Sequence, residues 1–129
     1  MSDEARIVYF AVVSDRLTTD DLRGALGEPD VDHEPLARFP EQARWRLRAS
    51  GGTEVFIGAL VDHVLSRVAR LREPIAKLRT ADVDLACRLT IVAYISEGQT
   101  EPGFGLASEQ VRLLADLGAD IDADLYYSG

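Results

Sequence analysis

Ala81-Asp82-Val83-Asp84-Leu85-Ala86-Cys87-Arg88-Leu89-Thr90-Ile91-Val92-Ala93-Tyr94-Ile95 alternates: every second residue from Val83 to Ile95 is apolar, with Asp82, Asp84, Arg88, Thr90 and Tyr94 among those between. Period-2 alternation over this length predicts a long strand with one face in a core and one face at least partly wet. A strand wetted on one side belongs to an antiparallel or mixed sheet, because wholly parallel sheets are covered on both faces. The rest of the chain must therefore supply partner strands and the helices that cover the apolar side.

Upstream, Arg6-Ile7-Val8-Tyr9-Phe10-Ala11-Val12-Val13 is apolar on both parities and predicts a central strand buried on both sides or nearly so. Thr18 or Thr19 then caps a short helix, with Asp20 and Asp21 in its first turn and Gly27 at its end. Residues 28 to 42 carry Pro29, Pro35 and Pro40, no periodicity, and the acids Glu28, Asp30, Asp32, Glu34 and Glu41. A connection this long is a functional candidate. Ala43-Arg44-Trp45-Arg46-Leu47-Arg48-Ala49 is a second alternating strand, its arginines outward. Ser50-Gly51-Gly52-Thr53 turns into a long helix, about Glu54 to Arg72, capped by Thr53. Its Ile57, Leu60, Val61, Val64, Val68 and Leu71 form one stripe. Pro74 ends or kinks this helix, and Ile75 and Leu78 continue the stripe.

Beyond the long strand lies a glycine-rich loop, Glu97 to Leu106, then a helix from Glu109 to Leu117 capped by Ser108 and stopped by Gly118. Val111, Leu114, Ala115 and Leu117 are its apolar side. The last strand, Ala119 to Tyr127, points Ile121, Ala123 and Leu125 inward and Asp120, Asp122 and Asp124 outward. The prediction is one α+β domain over residues 1–129: a four-stranded, mostly antiparallel sheet with three helices on one face, in the order β-α-β-α-β-α-β.

Length and composition agree. A chain of 129 residues, 47% hydrophobic and 28% charged, buries enough surface for one core. The net charge of −8 repels phosphate backbones and anionic lipid, so neither nucleic acid nor membrane is an expected partner. No apolar run approaches the roughly 20 residues of a bilayer span. No basic n-region precedes an apolar stretch, and Cys87 is the single cysteine, which together read as a cytoplasmic protein.

Candidate chemistry is sparse. Asp120-x-Asp122-x-Asp124 opens like a calcium loop, but Leu125 stands where that loop needs glycine. In a strand, alternate aspartates stand roughly 6.8 Å apart, too far for one ion to hold all three. Ser50-Gly51-Gly52-Thr53 lacks the lysine and spacing of a phosphate loop. His33 and His63 with a buried Cys87 make no metal set, and no nucleophile elbow marks a hydrolase. No catalytic residue, metal site or cofactor is assigned. The arginines 44, 46 and 48 and the aspartates 120, 122 and 124 form basic and acidic ladders, which would pair across neighbouring strands or meet a partner. Tyr94, Tyr126 and Val92 share the wet faces, a mixture that suits a homodimer through the open face or by edge pairing.

Leu22 to Leu26 with Gly27-Glu28-Pro29-Asp30, then Trp45, then the ending Leu113-Leu114-Ala115-Asp116-Leu117-Gly118-Ala119-Asp120-Ile121-Asp122-Ala123-Asp124-Leu125-Tyr126 together resemble the bacterial family of domain of unknown function 4279. The resemblance covers nearly the whole chain and implies a small cytoplasmic bacterial protein with no established catalytic residues. In size and acidity it is similar to immunity proteins that neutralise toxins of rival or sister cells. The expectation is a non-enzymatic protein-binding module of immunity or regulatory type. It would present Glu28, Asp30, Asp32, Asp120, Asp122 and Asp124 to a basic protein. The alternative is a small-molecule-binding or structural homodimeric domain, with a pocket between the sheet and the 97 to 106 loop. A hydrolase, with His33 or His63 in a cleft, ranks behind both.

Overall fold

The computed structural model describes residues 4–31, 42–99 and 102–128. Strands β1 (Arg6–Ser14), β2 (Ala43–Gly51), β3 (Ala86–Ser96) and β4 (Ala119–Ser128) form one sheet in the order β2-β1-β3-β4. β1 runs antiparallel to β2 and β3, while β4 runs parallel to β3. The sheet is therefore mixed. The parallel pair arises because α4 (Ser108–Asp116) carries the chain back across the sheet between β3 and β4, as a parallel connection requires.

The remaining helices follow their local signals with two displacements. α1 (Thr19–Leu26) begins with a capping box: Asp21 N donates to Thr18 Oγ1 at 3.1 Å and Thr18 N to Asp21 Oδ2 at 2.9 Å. Gly27, at φ +92°, ends it. The long helix is two helices, α2 (Ile57–Val68) and α3 (Arg72–Ala81), joined by a 3₁₀ turn at Ala69–Leu71. Pro74 falls in the first turn of α3, where its missing N–H breaks no helical bond. Thr53 is not the cap: Phe56 precedes the first helical residue, and Ser50 and Gly51 still belong to β2. The phosphate-loop outline thus has no helix at its end. Likewise Ala107, not Ser108, flanks α4, and Gln110 Oε1 accepts from its N–H at 2.8 Å.

The core lies between the helices and one face of the sheet. Val8, Phe10 and Val12 of β1, Trp45 and Leu47 of β2, and Cys87, Leu89, Ile91 and Ala93 of β3 meet Leu22, Val61, Val64, Ile75 and Leu114. β1 is central, yet Tyr9, Ala11 and Val13 on its other face are only half-buried, so the opposite sheet face is open. Val92, expected to be wet, is buried there with its cross-strand partner Ile7. The strand within residues 81–95 starts only at Ala86: Leu85 just before it is already buried, but Val83 is 75% exposed. Asp82 folds the residues that follow it into a turn, taking Asp84 N on Oδ1 at 3.1 Å and Leu85 N on its carbonyl at 3.2 Å. The buried Asp82 carboxylate also receives Ser14 Oγ at 2.6 Å, and that hydroxyl accepts from Leu17 N at 2.8 Å. This pair ties the end of β1 to the entry of β3.

Candidate functional site

Strand register sorts the open face into rows. Arg46, Ala11, Arg88 and Asp120 line up across β2, β1, β3 and β4; Arg48, Tyr9, Thr90 and Asp122 follow; then Ser50, Ile7, Val92 and Asp124. The basic ladder of β2 and the acidic ladder of β4 therefore occupy opposite edges with two strands between them. At about 4.8 Å per strand the edges stand roughly 14 Å apart, so the ladders do not pair with each other. One contact bridges part of the gap: Arg88 Nη2 lies 3.6 Å from Asp120 Oδ2.

The basic side is organised around Tyr9. The Arg46 and Arg48 guanidinium carbons sit 5.5 and 5.8 Å from its ring centroid. Arg48 also pairs with Glu4, whose hydrogen bond holds the Glu4 carboxyl below the usual range. Burial, and secondarily the charge of Arg46, lowers the Arg44 guanidinium from its ordinary value. A hollow of about 450 Å³ opens over Ala11 between Arg44, Arg46, Arg88 and Thr90. It is formed by the sheet itself, not by the 97–106 loop.

The β2 edge is closed by Asp30. Its N–H donates to Arg46 O and its Oδ2 accepts from Arg48 N, both at 2.9 Å, so it reproduces a strand-pairing contact. Arg67 from α2 clamps the same carboxylate through Nη1–Oδ2 at 2.5 Å and Nη2–Oδ1 at 2.9 Å. That fork first, then the Arg48 N–H, holds the Asp30 carboxyl below its ordinary value against the opposing effect of burial. Asp30 is thus committed internally, a role no local motif announces. Glu28 is exposed, 3.5 Å from Arg23 Nε. Asp32 and His33 lie outside the described residues. His63 is exposed on α2 and Cys87 is buried, its thiol pushed up by burial more than Arg79 lowers it.

The β4 edge differs in every respect. Among the described residues nothing pairs with its outer side. Asp120 is exposed and Asp122 and Asp124 half-buried on the open face, where Tyr126 stacks on Tyr94 with centroids 5.2 Å apart. Ile121, Ala123 and Leu125 point to the helical side as expected, but they are not core: Ile121 is 48% and Leu125 43% exposed. The core lies over β1, β2 and β3; α4 contributes Leu113 and Leu114 to it and also meets β4, but leaves Ile121, Leu125 and its own Val111 exposed.

Among the described residues, no three His, Cys, Asp or Glu side chains gather as a metal would need. No helix there is long and apolar enough to cross a membrane. What the fold and surface define is a small α+β domain whose open sheet face grades from basic to acidic and ends, among the described residues, in a strand with no further strand beside it. Residues 3–128 match the family described as Domain of unknown function (DUF4279), and the chain belongs to that family. No curated protein and no solved structure matches it.

Proposed function

We propose that this protein is a non-enzymatic binding module, of immunity or regulatory type, that recognises a basic protein in the bacterial cytoplasm through its C-terminal strand. The observation that carries this reading is the composition of β4: Asp120, Asp122 and Asp124 on one face and exposed Ile121 and Leu125 on the other. Exposed apolar side chains supply contact area, and aspartates around them select a positive partner and speed its approach. Asp120, Asp122 and Asp124 form the site; Glu28 is accessible but distant in sequence, and Asp30 is engaged with Arg67. The test is charge reversal. Binding of a purified partner, first captured at low salt, should fall steeply in Asp120→Lys/Asp122→Lys/Asp124→Lys and weaken with salt in the parent. Unchanged affinity in the triple variant sinks the reading.

A second reading, a small-molecule binder, rests on the hollow over Ala11, whose arginines would select an anion. Titration with inorganic phosphate and benzoate, following the Thr90 and Ala11 amides, tests it; no saturable shift with either removes it.

A further inference from the structure

β4 is a ten-residue edge strand protected in its own sequence by the charge of Asp120, Asp122 and Asp124, which repels acidic strands but admits basic ones. It has no proline, no lysine and no bulge, and its helix-side residues are apolar rather than charged. On the other edge of the same sheet Asp30 already occupies the outward groups of Arg46 and Arg48. We infer that β4 binds its partner by strand addition, taking as a fifth strand an extended segment of another protein in which basic and apolar residues alternate. This deepens the proposed binding role and rests on it.

The pattern of the segment follows from the register. Side chains directly opposite one another across a strand pair share a face. On the open face the incoming residues meet Asp120, Asp122, Asp124 and Tyr126, so lysine or arginine is selected there. On the helical face they lie beside Ile121, Ala123 and Leu125, which demand apolar partners. Backbone bonds supply sequence-independent affinity and the two faces supply specificity.

A second copy of this chain fits the acidic half of the edge poorly, whereas a pair centred on Leu125 sets no aspartate against another. Two β4 strands related by a twofold axis, centred on any of residues 122 to 124, put aspartate directly opposite aspartate, which destabilises the pair. The chain's own basic alternating strand, β2, has the right pattern, but Asp30 occupies the edge it would need.

The test uses a synthetic peptide of about eight residues, a typical strand length, alternating lysine or arginine with valine or isoleucine. Two further versions carry N-methyl groups on one or the other alternate set of backbone amides. The expected result is saturable binding of the plain peptide with new exchange protection of β4 amides. One N-methylated version should bind about tenfold or more weakly, a loss of about 1.4 kcal/mol, and the other nearly as well, because only one set of N–H groups faces β4. Equal binding of all three peptides overturns strand addition and leaves the acidic-surface reading standing. Absence of β4 protection also overturns it, as does protection that appears without peptide and rises with protein concentration, which would identify a second copy as the occupant. The underlying reading fails separately, in the charge-reversal experiment on the natural partner.

Discussion

The two edges of the sheet are built from similar material and have opposite fates. β2 and β4 both alternate apolar with charged residues, and both end the sheet. β2 buries Trp45 and Leu47 beneath α1 and α2, anchors the Trp45 indole N–H on Gly27 O at 2.8 Å, and has Asp30 hydrogen-bonded to its outer side. β4 has the same parity toward the helices, but α4 touches it without burying Ile121 or Leu125. Whether an edge is closed or available depends on its neighbours as well as on its own pattern.

Substitutions can sharpen this contrast, beginning with the largest effect. Trp45→Ala removes a side chain only 2% exposed together with its bond to Gly27, and should cost about 3–5 kcal/mol in urea unfolding. A cost below about 1 kcal/mol would mean the β2 side is not core. Asp30→Ala should cost about 1–2 kcal/mol through loss of the Arg67 fork and the Arg48 N–H bond. It should also free the Arg48 N–H on the basic edge for the acidic β4 edge of another copy, while the residue 30 N–H can still donate to Arg46 O. Sedimentation velocity should then show salt-sensitive association, and a strictly monomeric variant would show that Asp30 is not what closes β2.

Acid provides a gentler probe of the same clamp. The folded Asp30 carboxyl titrates below its unfolded value of about 3.9, so its contribution is present above that value and lost as pH falls through the folded one. As pH falls below about 4 the parent should lose more stability than Asp30→Asn, because only the parent has this contribution to lose. Equal slopes in acid unfolding would contradict the clamp. The smallest effect belongs to β4: Ile121→Ala should change stability by less than about 0.5 kcal/mol, because the side chain is already half in water. A loss approaching that of Trp45→Ala would place β4 in the core after all.

Local patterns were sufficient for the element order, the faces of each strand, the capping by Thr18, the stop at Gly27, the break near Pro74 and the burial of Cys87. They misled at Val83, whose parity matches the strand although Asp82 has already drawn the residues around it into a turn. They misled again at Thr53, because β2 continues to Gly51 and the helix waits until Ile57. The proposed acidic site was legible as composition only: that Asp30 is spent internally depends on Arg67, which lies 37 residues away along the chain.

By itself the sequence determined that the strands have an apolar and a charged side, since alternation dictates which residues share a face of a pleated strand. It also determined the family, whose match spans nearly the whole chain. Only the tertiary structure decided that the basic and acidic ladders stand at opposite edges, that β4 runs parallel to β3, and that Ile121 and Leu125 remain in water. Strand order and helix cover are set by contacts between distant segments, and a periodicity read along one segment carries no information about which neighbour lies beside it.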